Sequence, residues 1–404
     1  MSGALSGLRI FDLSRVLAGP TCTQILGDLG AEIIKVERPG VGDDTRKWGP
    51  PYLKDDQGRD TTESAYYLAI NRNKRSIALD ITKSEGQDLA LRLIEQCDIV
   101  VENFKVGDLA RYGLAYDQLL QSFPRLVYCS ITGFGQTGPY KDRPGYDYLA
   151  QAMGGIMSIT GEPDRQPMKV GVAIADVMTG MYATTAILAA LRHRDTTGVG
   201  QHIDLALLDS QLAWLANVGQ GYLVSGEEPP RLGNDHPTVV PYGVFDAEDG
   251  PFVIGVGNDA QFQRFCAFAG LAELANDTRF TSNANRVRNR DALIPLIANA
   301  LVRHPMRHWI EGLETVKVPA APINTVAQAF ADPQAMHRGM VKEIAHPLSE
   351  KPLRMTANPI RMSLTPVEYR HAPPTLGQDT DAVLADLLEL GNTEVAELRR
   401  RGIV

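Results

Sequence analysis

The chain has 404 residues, which exceeds the roughly 250–300 residues at which a single hydrophobic core stops growing, so two domains are expected. Hydrophobic residues make up 44% and charged residues 22%, and no run of about 18 apolar residues predicts a membrane span. The formal net charge of −8 gives no field that would attract nucleic acid or an anionic membrane, so anionic ligands must meet local groups of Arg and Lys.

Short apolar runs alternate with helical periodicity in the first third of the chain, which is typical of βα units that feed a mainly parallel sheet. In chain order the sequence predicts strand 8–13, helix 22–29, strand 32–37, strand 76–80, helix 85–96, strand 98–102, helix 116–122 and strand 126–132. Two long loops, 39–62 and 133–144, are rich in Gly, Pro and charge. Long loops in compact domains are usually functional, so we expect a ligand there.

The pattern changes towards the C-terminus. Helices are predicted at 148–158 and 177–192, a strand at 202–207 and a helix at 209–223. The segment 225–233 (SGEEPPRLG) is a cluster of breakers and marks a domain boundary. Beyond it we predict a hairpin at 242–256, helices through 316, short strands from about 339 and a final helix at 380–389. The predicted class is α/β with a second, smaller α+β domain.

Residues Gly133 to Gly138 match GxGxxG after a predicted strand, which is half of a dinucleotide fingerprint. The helix that the fingerprint needs cannot follow, because Pro139 comes at once and Pro144 soon after. A nicotinamide oxidoreductase is therefore a minor alternative. We prefer a Gly-rich turn whose main-chain amides approach a ligand.

The sequence offers little for a metal or a disulfide. His304 and His308 are four residues apart, but Pro305 leaves the first outside the helix and no acidic partner accompanies them. The cysteines have neither a CxxC pair nor metal-ligand spacing; they are Cys22, Cys97, Cys129 and Cys266. The N-terminal residues lack the basic and apolar regions of a secretory signal. We expect a cytoplasmic protein without a metal.

Basic residues cluster in the first half of the chain. Arg72, Lys74 and Arg75 lie directly before a predicted strand. Other loops of this half contribute Arg38, Arg46, Lys47, Arg111, Lys141 and Arg143. A solvated surface and a phosphate site built from several loops explain this pattern equally well.

Asp176 stands between a run of small apolar residues, 170–175, and the long helix that it is predicted to open. An ordinary N-cap, whose carboxylate accepts amide hydrogen bonds, is the simplest interpretation. The positive end of a helix dipole would also keep the carboxylate ionised, as a nucleophile must be. The two roles are compatible, and both stay open here.

Several segments in this order together resemble the class III CoA-transferases, the family of formyl-CoA transferase and carnitine CoA-transferase. They are 11–20 (FDLSRVLAGP), 35–49 (KVERPGVGDDTRKWG), 71–76 (NRNKRS), 101–104 (VENF), 133–139 (GFGQTGP) and 173–176 (AIAD). The resemblance extends from about residue 7 to the C-terminus. It implies an enzyme that transfers CoA from an acyl-CoA to a carboxylic acid, with CoA as substrate and no prosthetic group or metal.

The resemblance also implies an architecture and a mechanism. The large domain would be Rossmann-like and built from residues 1–224 and 336–404, with a small α+β domain at 225–335, and two subunits would interlock as a homodimer. Asp176 matches the catalytic aspartate, which would form an aspartyl anhydride and then an aspartyl-CoA thioester. The expected partners are small molecules, without nucleic acid or membrane.

Binding residues follow from two sources. The resemblance places Arg38, Asn103, Phe104 and Arg111 where the family holds CoA, and the basic clusters add Arg72, Lys74, Arg75 and Lys141. The expected substrate-binding residues are Val16, Leu17, Phe134, Gly135, Gly257 and Asn258. Gly-rich segments enter this set because their amides could stabilise developing oxyanions.

Particular residues bear on the reaction and the substrates within this family. Leu17 stands where formyl-CoA transferase has a glutamine, which argues against formyl-CoA and oxalate as the substrate pair. Tyr146 stands where related α-methylacyl-CoA racemases have the proton-accepting histidine. The segments 43–51 (DDTRKWGPP) and 240–242 (VPY) are similar to members that act on succinate and hydroxymethylglutarate, so dicarboxylates are the expected substrates. A CoA-binding protein without turnover stays open.

Overall fold

The computed structural model describes residues 3–404. Its strands, in chain order, are β1 (Arg9–Asp12), β2 (Glu32–Glu37), β3 (Tyr52–Lys54), β4 (Asp60–Ser64), β5 (Lys74–Ala78), β6 (Ile99–Glu102), β7 (Val127–Thr132), β8 (His202–Ala206), β9 (Tyr242–Ala247), β10 (Gly250–Gly255), β11 (Ala320–Pro322), β12 (Val341–His346) and β13 (Ser349–Thr356).

The helices up to residue 225 are α1 (Ala18–Asp28), α2 (Ala65–Ala69), α3 (Ser84–Glu95), α4 (Tyr116–Ser122), α5 (Asp147–Met153), α6 (Ile156–Ile159), α7 (Ile174–Thr197), α8 (Leu207–Ala213) and α9 (Ala216–Ser225). The later helices are α10 (Asp259–Phe268), α11 (Ala272–Asn276), α12 (Asn283–Arg288), α13 (Arg290–Leu301), α14 (Met306–Thr315), α15 (Val326–Ala331), α16 (Pro333–His337), α17 (Thr380–Leu388) and α18 (Asn392–Arg400). Short 3-10 helices lie at Asp44–Lys47 and Asp108–Tyr112.

The chain divides into two compact units. The first contains residues up to Ile156, Lys169–Leu223 and Met336–Val404, and the second contains Met157–Met168 and Val224–Ala335. The boundary cluster at 225–233 therefore begins the long part of the second unit.

A six-stranded parallel sheet with the order β5-β2-β1-β6-β7-β8 forms the centre of the first unit. The chain moves outward in one direction from β1 to β5 and then in the other from β6 to β8, so the order reverses between β1 and β6. In open parallel sheets ligands bind beyond the carboxyl ends of the strands at such a reversal. The segments that follow β1 and β6 are therefore the first place to look for a site.

The central strands are buried on both faces, because helices cover both. Successive residues point to opposite sides, so Phe11 and Val100 join one hydrophobic cluster, whereas Ile10 and Val101 join the other. The first cluster is completed by α3, α17 and α18 and the second by α1 and α7. The predicted α/β class is confirmed.

The second unit has its own core. Its sheet is antiparallel with the order β11-β10-β9, and the predicted hairpin of 242–256 is its β9–β10 pair. Phe252, Phe262, Phe265 and Trp309 are at most 2% exposed and bring strand β10 and helices α10 and α14 together.

Several predicted elements differ from the structure. The helix predicted at 148–158 is split into α5 and α6 at Gly155, whose φ is +84°, and the helix predicted at 209–223 is split into α8 and α9 at Ala216, whose φ is +46°. The loop predicted at 39–62 contains a 3-10 helix and the β3–β4 hairpin. Helix α18 was not predicted, because its sequence is strongly polar and only Val395 is buried.

Helix α7 is long and apolar enough to span a membrane by composition, but half of its most apolar window is buried within the protein. It belongs to the hydrophobic cluster that covers one face of the central sheet and packs on α1. Burial in a protein core explains its apolar character.

Candidate active site

Two adjoining clefts open where the strand order reverses. The first has a volume of about 180 Å³ and contains Asp176 among its lining residues, together with Val16, Leu17, Asn103, Gly133 and Tyr146. The second has a volume of about 340 Å³ and is lined by Arg38 and Arg111. Arg15, Asp44 and Phe104 line both clefts, so the two form one continuous site.

Asp176 is the third residue of α7 and not its N-cap, which is Ala173, so the predicted capping role is wrong. Its side chain is 9% exposed, and its carboxylate has no hydrogen-bond partner among the residues that the structure describes. Burial raises the pKa of Asp176 to about 7, and the charge of Asp147 adds to the effect. The expectation that the helix dipole keeps this carboxylate ionised therefore needs correction, because burial acts in the opposite direction.

Asp147, the first residue of α5, organises the start of α7. Its Oδ1 accepts hydrogen bonds from the main-chain amides of Ala175 at 2.8 Å and Asp176 at 3.2 Å, and its Oδ2 accepts one from Gln151 Nε2 at 2.7 Å. The fully buried Gln151 also accepts a hydrogen bond from the amide of Val170 at 2.9 Å. These contacts fix the turn that leads into Asp176.

Close packing of α7 on α1 places Asp176 beside the segment that follows β1. A Cβ added at Gly180 would lie 2.6 Å from the main-chain oxygen of Ala18, so only glycine permits this approach. Asp176 lies one helical turn before Gly180, and Ala18 also lines the first cleft.

A second close approach holds the loop after β7. A Cβ on Gly133 would lie 2.5 Å from Cα of Gly145, so the two ends of this loop touch main chain to main chain. Gly133 and Gly145 both line the first cleft. The loop therefore forms a wall of the cleft without a dinucleotide-type helix.

Basic side chains surround the first cleft. They are Arg15, Lys105, Lys141 and Arg143. Arg15 forms an ion pair with Asp44 at 2.9 Å, whereas the Arg143 guanidinium lies over the ring of Tyr140 at 3.8 Å. The cleft thus combines one buried carboxylate with cations that can receive anionic substrates.

The second cleft carries charged side chains of both signs, because Asp44, Asp80 and Asp108 line it beside its arginines. Arg38 and Arg111 line it together with the turn 80–82 after β5, and the Arg111 guanidinium lies 4.8 Å from the ring of Tyr112. The predicted positions of Arg38, Phe104 and Arg111 are therefore brought together, and Val16, Leu17, Asn103 and Lys141 join them through the first cleft.

Three predicted CoA ligands form ion pairs within the protein. Arg72 pairs with buried Asp28 at 2.6 Å, and Arg75 pairs with Glu32 at 2.8 Å. Lys74 is fully buried 3.3 Å from Asp12, and burial lowers its pKa to about 8. These side chains line neither cleft.

The other predicted substrate residues also use their polar groups internally. The amide of Gly135 donates to Thr132 Oγ1 at 2.9 Å, and Phe134 packs edge-on against Tyr140; neither residue lines the first cleft. In the second unit, the amide of Gly257 donates to Gln261 Oε1 at 2.7 Å, and Asn258 caps α10. The main-chain amides of Gly135 and Gly257 are therefore already engaged within the protein.

Sequence reasoning missed several residues of the site. Arg15, Lys105 and Tyr146 line the first cleft, and Asp147 supports it. Burial raises the pKa of Tyr66 to about 12, and the nearby charges of Asp176 and Asp147 add to the effect. The sequence contained a signal for Tyr146 and Asp147, because both directly follow Gly145 in the segment compared with the racemases. Among residues 3–404, no group of His, Cys, Asp and Glu is arranged to hold a metal ion.

The chain is similar over nearly its whole length to known CoA-transferases. The chain is 48% identical over 389 residues to the succinate–glutarate CoA-transferase of Agrobacterium fabrum, which covers 96% of this chain and 97% of that protein. It is 42% identical over 400 residues to the human succinyl-CoA:glutarate CoA-transferase, with 99% and 90% covered. A crystal structure of a CAIB/BAIF family protein from Brucella suis superposes with a TM-score of 0.84 at 46% identity, over 96% of this chain and 100% of that one.

The model of CoA-transferase family III matches residues 5–380. The match spans the central sheet, both clefts and Asp176. With relatives above 40% identity over nearly its whole length, the chain is a CoA-transferase that belongs to CoA-transferase family III.

Proposed function

We propose that this enzyme transfers CoA from succinyl-CoA, or a similar dicarboxyl-CoA, to a dicarboxylic acid such as glutarate, with Asp176 as the covalent nucleophile. The observation that carries the proposal is a nine-tenths buried carboxylate without a hydrogen-bond partner among the described residues, in a cleft continuous with one that is lined by Arg38 and Arg111. The names of relatives at 48% and 42% identity support the substrate class.

The proposed cycle begins with attack by an Asp176 oxygen on the thioester carbon of the donor. The C–S bond breaks, CoA leaves as thiolate, and an aspartyl–acyl anhydride remains. The thiolate then attacks the Asp176 carbonyl carbon, so the donor acid departs as carboxylate and an aspartyl-CoA thioester forms. The acceptor carboxylate attacks that thioester, and the same two steps run in reverse.

The two clefts divide the substrate between them. Arg38 and Arg111 of the second cleft would receive the phosphates of CoA, with the pantetheine arm passing Phe104 towards Asp176. Lys105, Lys141 and Arg143 of the first cleft would receive the carboxylates of donor and acceptor. This division leaves the carboxylate oxygens of the acids beside the nucleophile.

Ionisation of Asp176 is part of the mechanism. Its raised pKa of about 7 makes the carboxylate a better nucleophile than an ordinary aspartate when deprotonated. Cations of the first cleft would favour the charged form of Asp176. A bound CoA would exclude water from the cleft. Water exclusion is needed, because the anhydride and the thioester both hydrolyse.

A Rossmann-like CoA domain, an interlocked homodimer and a cytoplasmic location complete the proposal. The sheet order supports the first of these. Large exposed apolar side chains support a second subunit; they include Tyr146, Tyr148, Met153, Met181, Tyr182 and Tyr222. The four cysteines are free thiols, as is usual in a reducing compartment.

Isotope transfer tests the function and the mechanism together. Turnover with succinyl-CoA and glutarate labelled with ¹⁸O in its carboxylates should place ¹⁸O in the Asp176 side chain, because the bridging oxygen of the second anhydride stays on the enzyme. Peptide mass spectrometry would locate the label, and Asp176→Ala should show neither label nor turnover. Turnover without label would refute the covalent mechanism, and a wild-type protein without turnover would refute the proposed substrates.

A further inference from the structure

Val16 has an unusual main-chain conformation in the wall of the first cleft. Its φ is +69°, and among the residues that the structure describes it is the only β-branched residue with positive φ. The other non-glycine residues with positive φ are Asn73, Ala216, Lys317 and Glu389. A β-branched side chain crowds the main chain in this region, so surrounding contacts must hold Val16 in place.

One set of contacts comes from a buried ion pair. Lys35 and Asp43 are fully buried and 2.9 Å apart. Lys35 Nζ donates to the main-chain oxygen of Ser14 at 3.0 Å, and Asp43 Oδ1 accepts from the amide of Val16 at 3.3 Å. These groups hold the main chain on both sides of Arg15.

The other set comes from Asn103, which follows β6. Its Oδ1 accepts a hydrogen bond from the amide of Arg15 at 2.9 Å, and its Nδ2 donates to the main-chain oxygen of Arg15 at 2.7 Å. Both polar atoms of the side chain are therefore engaged with the residue that precedes Val16. Glu102 in turn accepts from the amide of Phe104 at 2.7 Å and fixes the turn that carries Asn103.

We propose that Asn103 is a positioning residue, whose side chain holds Arg15 and thereby keeps Val16 in the left-handed conformation that shapes the cleft beside Asp176. It does not use its side chain to bind CoA. The proposal rests on the proposed function only where the effect of a substitution is measured as a rate of CoA transfer. The Asn103 side chain joins the carboxyl end of β6 to that of β1 at the point where the strand order reverses.

A glycine at position 16 gives the critical test, because glycine adopts positive φ without strain. In a wild-type background, Asn103→Ala should let Val16 relax to negative φ and move the wall of the cleft. In a Val16→Gly background, the glycine at position 16 has no main-chain strain to release. Asn103→Ala should therefore move the wall of the cleft less. The effects of the two substitutions should therefore be strongly non-additive.

The experiment is a double-mutant cycle with succinyl-CoA and glutarate. Asn103→Ala should lower kcat about tenfold or more in the wild-type background and only about threefold or less in V16G, given the strain at a β-branched residue. KM for succinyl-CoA should change less than kcat. Equal losses in both backgrounds, or a loss confined to KM, would show that Asn103 binds CoA and overturn the proposal.

Two further measurements keep the test decisive. Asn103→Asp is the second variant, for use if N103A folds poorly. It keeps the acceptor for the amide of Arg15 but places a carboxylate oxygen against the main-chain oxygen of Arg15. Its loss of kcat should also be smaller in the V16G background. Hydrogen exchange of the peptide containing residues 13–19 needs no turnover, and N103A should increase it in the Val16 background. Unchanged exchange there would refute the positioning role, whereas a wild-type enzyme without CoA transfer would refute only the proposed function.

Discussion

The carboxylate of Asp147 accepts a hydrogen bond from the main-chain amide of Asp176 at 3.2 Å. It thereby fixes the helix that carries the proposed nucleophile, while its negative charge contributes to the raised pKa of that nucleophile. The same residue thus orders the site and makes its ionisation more costly. The two effects can be separated by experiment.

The pH dependence of turnover should reveal the charge of Asp147. The nucleophile must be ionised, so kcat/KM in the wild type should rise with pH through about 7, the pKa of Asp176. Asp147→Asn keeps an acceptor for the two amides but removes the charge, so this acid limb should move to lower pH. Rates measured between pH 5 and 9 would check it.

A relocated charge provides the control. In the double variant D147N/Q151E, the amide of the new side chain can donate to the new carboxylate, and the negative charge moves one helical turn along α5. The acid limb should remain below that of the wild type, although the hydrogen bond between positions 147 and 151 is restored. An acid limb that stays at the wild-type pH in both variants would contradict the role of the Asp147 charge.

Stability should also depend on the proton of Asp176. Its pKa rises from 3.8 to about 7 on folding, so between these values the folded protein binds a proton that the unfolded chain has lost. Stability from this group is therefore lost as pH rises through that window. Asp176→Asn cannot ionise, and its Tm should exceed that of the wild type at pH 8 but approach it at pH 4. Calorimetry showing the same difference at both pH values would contradict this.

Arg38 and Arg111 should determine the affinity for CoA. Replacing either by alanine removes a guanidinium from the second cleft, so KM for succinyl-CoA should rise about tenfold with a smaller change in kcat. The increase should weaken at high salt, which already screens the lost attraction. Arg307→Ala, at an exposed ion pair with Glu311 in the second unit, is the matched control and should leave KM unchanged.

Arg72 should affect stability rather than CoA binding. Its guanidinium pairs with fully buried Asp28 at 2.6 Å, so Arg72→Ala leaves a buried carboxylate without its cation. Breaking a buried pair in this way typically costs about 3–5 kcal/mol of unfolding free energy. Urea unfolding would measure the loss. A higher KM for succinyl-CoA at unchanged stability would instead support a direct contact with CoA.

Gly133 should be needed for the wall of the first cleft. A methyl group at this position would lie 2.5 Å from Cα of Gly145, so Gly133→Ala must separate the two ends of the loop and should lower kcat about tenfold or more. Gly171→Ala is the control, because a Cβ there meets nothing within 4 Å. Equal activity of the two variants would show that the loop does not shape the site.

Regular periodicity made much of the fold predictable. The strand at Glu32–Glu37 and the helix at Tyr116–Ser122 lie at the predicted residues, because their patterns are local. Asp176 was also singled out from local sequence, as a carboxylate near the start of a long helix. Its ionisation was not predictable, because Asp147 lies 29 residues away and burial depends on packing.

The basic clusters show the limit of such reasoning. Arg72 and Arg111 look alike in sequence, yet one is matched by a carboxylate 44 residues away and the other lines a cleft. Asn103 was expected to contact CoA, and only the structure shows that both polar atoms of its side chain are engaged with Arg15. Which charges line a cleft depends on tertiary structure that no local pattern contains.

The glycine contact between α7 and α1 has a mechanical consequence. With the main chains touching at Gly180 and Ala18, the nucleophile and the opposite wall of its cleft form one stiff block. We therefore expect the two helices to move together when an acid enters or leaves. We expect movement during exchange of the two acids in the surface loop between Gly133 and Gly145, because the outer part of this loop is exposed.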